Sequence, residues 1–265
     1  MPRRIHVMHY LVFSLLLVIG MGVQAEVQTQ AVTDDDAGIP LTGYLYWDDA
    51  MTGKRPGILV IHDGWGLNDA VRQRAQMLAE LGYVAFAADL YGNGRVTDQP
   101  EQAAEWTHAI TADVASWRRR ASLGLAHLKS SELLEPGKIA AIGYGFGGDT
   151  LLQMAYDGTD LLGVLSFDGS CPAAPETSYG KITPKLLILH GQDDSLVTPE
   201  VIALFQSQLK AAGAHWELDI YGGARHGFAN PNAGDDAHEN LKDDAEADTR
   251  SWQRMQMFFY ELFDE

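Results

Sequence analysis

The segment that most constrains this chain is Lys138–Gly148, KIAAIGYGFGG. An apolar run reads as a strand, breaks at closely spaced glycines and restarts with the spacing of a helix. Glycines at such a junction let the backbone turn sharply and let strand and helix approach closely. A chain built around a strand–turn–helix of this kind folds as alternating strands and helices about a buried, mainly parallel sheet.

The rest of the sequence follows the same alternation. Gly57–His62 (GILVIH) is a continuous apolar run, as a strand covered on both faces requires. Asn68 caps a helix through about Leu81, with Val71, Ala75, Leu78 and Leu81 on its apolar stripe. Further strands are expected at Leu41–Trp47, Val84–Leu90, Leu162–Phe167, Lys185–His190 and Trp216–Tyr221. Helices are expected within Glu101–Lys129, at Gly147–Tyr156, from Pro199 to about Ala212, and from about Ala247 to Phe263. No repeat and no low-complexity linker divides the chain, so residues 41–265 read as one domain and the polar residues 26–40 as a flexible lead-in.

Ahead of that lead-in, Arg3 and Arg4 precede the apolar run Leu11–Ile19, and Val23-x-Ala25 supplies small residues at a cleavage point. The run is short for a membrane span. Residues 1–25 are therefore expected to be a signal peptide cut near Ala25, which sends the chain to the periplasm or outside the cell. The alternative is an uncleaved anchor. With 36 acidic against 19 basic residues and a formal charge of −17, nucleic acid and anionic membrane surfaces are poor partners. The single cysteine, Cys171, excludes an internal disulfide. It reads as an inert buried thiol, because reactive thiols need a specific activating environment.

Three loops following strands carry the chemistry. Gly143-Tyr144-Gly145-Phe146-Gly147 has the layout of a nucleophile elbow, G-x-S-x-G, but its vertex is Gly145, which has no side chain. Asp194 lies in the loop after the strand ending at His190, and His226 in the loop after the strand ending at Tyr221. The order elbow, acid, histidine is that of an α/β-hydrolase. In that arrangement Asp194 orients His226, which shuttles the proton.

These segments together resemble the dienelactone hydrolase family of α/β-hydrolases, from about Leu41 to Phe263. The resemblance rests on IHDGWGLND at 61–69, ADLYGNG at 88–94, GYGFGG at 143–148, HGQDDSLVTPE at 190–200 and RHGFAN at 225–230. It implies a hydrolase of carboxylic esters or lactones, with no cofactor or metal, working as a monomer or homodimer. It implies Asp194 and His226 as catalytic residues, with Asp63 at the position of a thiol-activating acid. The backbone N–H groups of Phe146 and Gly64 would form the oxyanion hole, and Trp65, Tyr91 and Arg95 would line the substrate pocket. Two departures stand out. The family has Cys where this chain has Gly145, which implies weak or lost activity, as in a pseudoenzyme. Arginines that hold a substrate carboxylate in well-known members are replaced here by Asn93 and Asn230.

Two alternatives accompany this reading. One is a non-catalytic binder of small molecules in the same pocket. The other is a dinucleotide binder through Gly143-x-Gly145-x-x-Gly148, with Asp168 as the ribose-binding acid. His62-Asp63 lacks a third metal ligand at a convincing spacing. Trp106 and Trp117 read as helix–sheet packing, Arg118-Arg119-Arg120 as a solvated helix face, and the acids of 235–248 as a charged helix start.

Overall fold

The computed structural model describes residues 26–231, 233 and 241–264. The expected signal peptide, residues 1–25, lies outside the described residues, as do residues 235–240 of the acidic segment. Eight strands form one sheet: β1 (Val27–Asp36), β2 (Ile39–Asp48), β3 (Arg55–Ile61), β4 (Val84–Ala88), β5 (Leu134–Tyr144), β6 (Gly163–Phe167), β7 (Lys185–Gly191) and β8 (Trp216–Tyr221). Their spatial order is β1-β2-β4-β3-β5-β6-β7-β8. The β1–β2 and β2–β4 pairings are antiparallel and all the others parallel. This is the α/β-hydrolase fold.

Six helices cover the sheet: α1 (Asp69–Glu80), α2 (Pro100–Thr111), α3 (Val114–Ser130), α4 (Phe146–Tyr156), α5 (Pro199–Ala212) and α6 (Ala245–Phe263). The strand period of two sorts the core between the faces. In β3, Leu59 and Ile61 pack with α3, α4 and α5, while Ile58 and Val60 pack with α1 and α6. The Asn68 side chain accepts from the Val71 N–H and starts α1, and Asp244 caps α6 by accepting from Glu246 and Ala247 N–H. The stripe of α1 is Val71, Ala75 and Leu78. Leu81 is not on it, because the helix ends at Glu80 and Leu81 is 44% exposed.

Residues 26–40 are not a flexible lead-in. Val27–Asp36 pairs with β2 along its whole length, turning through Ala37 and Gly38, both at positive φ. Paired positive φ values are those of a two-residue hairpin turn whose twist matches its strands. The polar alternation of VQTQAVTDDD hides the strand because β1 is an outer strand with little apolar burial.

The basic run on α3 explains why the hairpin stays down. Asp36 is buried and accepts from Arg119 Nε at 2.9 Å and Arg120 Nε at 2.7 Å. Arg120, itself buried, also donates to the Leu90 carbonyl. The expected solvated face is thus a clamp, and the Arg119 hydrogen bond, followed by that of Arg120, holds the Asp36 carboxyl below its usual range. Removing one partner of a buried ion pair leaves the other uncompensated. Asp36→Ala is expected to cost about 3–5 kcal/mol in urea denaturation, by the usual size of that penalty.

Candidate active site

Because β3, β5, β6, β7 and β8 are parallel, the loops that follow them gather at one edge of the sheet. Ligand crevices in such sheets lie outside the carboxyl ends of the strands. The cavity here, about 640 Å³, is lined by loops after β3, β5, β6, β7 and β8 together with α2.

Gly145 sits between β5 and α4 with φ +48° and ψ −112°. Its N–H donates to both the Phe167 carbonyl (2.8 Å) and Asp168 Oδ1 (3.0 Å). A Cβ at Gly147 would collide with the Ile61 carbonyl, so strand and helix meet closely only because that position is bare. A Cβ on Gly145 would instead face the cavity, 3.7 Å from His226 Nε2 and 4.0 Å from the Asp63 Cβ.

His226 Nδ1 lies 3.0 Å from Asp194 Oδ2. The other Asp194 oxygen accepts from the Leu196 and Val197 N–H groups at 2.8 and 3.2 Å. Burial opposes the Asp194 charge, but the His226 hydrogen bond and charge hold its carboxyl below the ordinary range. Burial likewise pulls His226 down. The Asp194 hydrogen bond and the charges of Asp168, Asp194 and Asp149 override it and lift the imidazole to about 9.

Asp63 follows β3. Its Oδ1 accepts from Trp65 N–H and its Oδ2 from Asn230 Nδ2, both at 2.9 Å. Burial pushes its carboxyl up to about 7. Asn230 therefore holds Asp63. Beside Asp63, His62 supports the loop: its Nδ1 lies 2.7 Å from the Asp63 carbonyl and its Nε2 accepts from Leu90 N–H.

Phe146 and Gly64 both border the cavity. Phe146 opens α4, so its N–H has no intrahelical partner. Its ring is stacked between Tyr91 and Trp117, each 5.6 Å away. Trp65 borders the cavity, as expected. Tyr91 does not: it is buried behind Phe146, and its hydroxyl donates to the Gly64 carbonyl at 3.0 Å. A large aromatic one turn from the loop fills the core and steadies that loop instead. Arg95 is not at the cavity either. It lies exposed in the turn after Asn93, its guanidinium 5.9 Å from the Trp106 ring centroid.

Two further carboxylates border the cavity, Asp149, which the sequence did not single out, and Asp168, expected only as a ribose-binding acid. Asp149, on α4, accepts from Ser170 N–H and Oγ at 2.8 and 2.6 Å, and burial pushes it up to about 7. Asp168 joins the loops, with Oδ1 on Gly145 N–H and Oδ2 on Gly227 N–H at 2.6 Å. Its positive φ of 45° at the end of β6 is the local mark of a special backbone position. Both oxygens being engaged, Asp168 is not available to ribose hydroxyls, and the dinucleotide reading loses its acid. Cys171 is buried, and burial, followed by the Asp149 charge, pushes its thiol up to about 12. It is an inert thiol. Among the described residues no cluster of metal-ligating side chains is present.

The sequence pattern of the dienelactone hydrolase family matches residues 41–263. The chain belongs to the dienelactone hydrolase family. Among solved structures it is similar to a dienelactone hydrolase-like promiscuous phosphotriesterase from metagenomic libraries, at 34% identity and TM-score 0.85 over 89% of this chain and 99% of that one. A dienelactone hydrolase from Anabaena variabilis shares the fold at 22% identity and TM-score 0.63, over 89% and 99% of the two chains. Among curated proteins, Protein usf of Aquifex pyrophilus is 27% identical over 219 residues, covering 76% of this chain and 87% of that protein.

In this family member the folded protein holds the His226 proton more tightly than the unfolded chain, at about 9 against an ordinary value of about 6.5. The resulting stability is fully present below pH ~6.5 and lost as pH rises through about 9. Asp194→Asn removes the charge and, with its amide oxygen held by the Leu196 and Val197 N–H groups, presents an NH2 donor to Nδ1 in place of the acceptor. The imidazole titration followed by NMR is expected to fall by at least about one pH unit in that variant, the usual size of a neighbouring-charge effect.

Proposed function

We propose that this chain is an exported hydrolase of carboxylic esters or lactones whose turnover is weak because the elbow lacks its nucleophile. The observation that carries the reading is the geometry at Gly145: a side chain there would point at His226 Nε2, and Asp194 stands behind that imidazole. In this reading Phe146 and Gly64 N–H groups receive the developing oxyanion, and Asp63 is the acid beside the reacting atom. Tyr91 is a positioning residue that steadies the Gly64 loop.

The electrostatics favour a thiol at the vertex over a hydroxyl. An imidazole lifted to about 9 is protonated at neutral pH and pairs with a thiolate. Without a vertex side chain, the neutral fraction of His226 takes a proton from water as the water oxygen adds to the carbonyl carbon. It then returns that proton to the leaving alkoxide as the carbon–oxygen bond breaks. Systems stripped of a triad member retain about 10³–10⁴-fold over water, from the oxyanion hole and binding.

Gly145→Cys is expected to raise p-nitrophenyl ester turnover at pH 7 at least ~100-fold over the natural chain, a modest share of what a complete triad contributes. Gly145→Ser is expected to gain less at pH 7 and to reach half of its maximum near pH 9, where His226 is half neutral. If neither variant gains, the relay does no chemistry, and a small-molecule binder replaces this reading. Export rests on the sequence of residues 1–25, and N-terminal sequencing of the secreted chain is expected to begin at Glu26. No helix among the described residues is long and apolar enough to cross a membrane.

A further inference from the structure

The charge lining the cavity is one-sided. Asp63, Asp149 and Asp168 border it, and Asp194 lies directly behind His226. Against four carboxylates stand two histidines, His226, already paired with Asp194, and His108 on α2. No lysine or arginine borders the cavity among the described residues. Residues 234–240, Gly-Asp-Asp-Ala-His-Glu-Asn, contain neither.

The nearby arginines are committed elsewhere. Arg74 is bound to Asp248 and the Ala229 carbonyl, and Arg95 lies over Trp106. Asn230 donates to Asp63, and Asn93 is exposed in a turn at positive φ. Walls of Trp65, Ala103, Ala104, Leu196 and Val197 make the remaining surface mostly apolar. An anionic ligand here would lose its hydration and meet an excess of like charge, because the one protonated imidazole, His226, is already paired with Asp194. An ammonium group or an uncharged chain would not.

From this arrangement we propose that the site selects against carboxylate-bearing ligands and takes esters or lactones that are uncharged or carry an ammonium group. The inference rests on the cavity being the ester site of the preceding subsection, and it reverses the charge preference expected of a site that clamps a substrate carboxylate with arginine.

Three non-hydrolysable N-methyl amides of equal length, ending in isopropyl, trimethylammonium or carboxylate, test it by calorimetric titration of the natural chain at pH 8 and low salt. The isopropyl and trimethylammonium probes are expected to bind, and the carboxylate probe about 10–100-fold more weakly, as like-charge juxtaposition implies. A carboxylate probe that binds as well as the isopropyl one, or three probes that all fail to bind, overturns the proposal. Asp149→Asn and Asp63→Asn, each checked for folding by circular dichroism, are expected to narrow the carboxylate handicap, read as the ratio of the carboxylate to the isopropyl Kd, at least about threefold. If neither narrows it, the charge assignment is wrong.

Turnover of the three corresponding p-nitrophenyl esters by Gly145→Cys separates the two claims. Binding in the expected order with no turnover retains charge selection and rejects the hydrolase. Turnover that ignores charge does the reverse.

Discussion

The two loops that matter most are joined through one buried carboxylate. Asp168 accepts the N–H of Gly145, the vertex of the turn, and the N–H of Gly227, the neighbour of His226. Vertex and histidine come from strands at different places in the sheet, β5 and β8, with β6 and β7 between them. Each strand fixes only its own end, so a shared acceptor sets the distance between the two loops. Asp168 is buried, and burial raises its carboxyl while these N–H groups and the His226 charge favour its ionised form. Breaking either bond would leave a buried group unsatisfied, which is why one side chain can lock two loops.

Around that link the site is a set of carboxylates balanced by one imidazole. Asp194 holds His226 by hydrogen bond, while Asp168 and Asp149 act on it through space. Burial leaves Asp63 and Asp149 near 7, each steadied by hydrogen bonds from Trp65 and Asn230 or from Ser170. The imidazole stands beside an empty vertex, since Gly145 carries no side chain.

The support behind the site is apolar and equally specific. Tyr91, Phe146 and Trp117 form a stacked column under the start of α4, and Trp117 Nε1 donates to Thr150 Oγ1 at 2.7 Å. The column places the Phe146 N–H, and the Tyr91 hydroxyl places the Gly64 loop. At the far edge of the sheet the Asp36 clamp secures the hairpin against α3. Both devices use residues distant in sequence, so neither has a local signature.

Much of this was legible from the chain alone. Apolar runs such as GILVIH mark strands covered on both faces, and Asn68 announces α1, because burial and capping act locally. The glycines of 143–148, with Asp194 and His226 downstream, point to the fold, and the His226–Asp194 pair they predict is found at 3.0 Å, because backbone turning and carboxylate–imidazole pairing demand those residue types in that order. The charge run Arg118–Arg120 and the polar stretch 26–40 gave no such signal, since each acquires meaning only when Asp36 meets α3 across more than eighty residues. Asp149 carried no signal, and Asp168 read only as the acid of a dinucleotide fingerprint, until the sheet gathers its carboxyl ends. Sequence by itself determined the strands and helices other than β1, and that the turn after β5 carries no side chain at its vertex, because burial, capping and backbone turning are local. Tertiary structure alone decided which carboxylates surround His226, because electrostatic environment depends on distance in space and on exclusion of water.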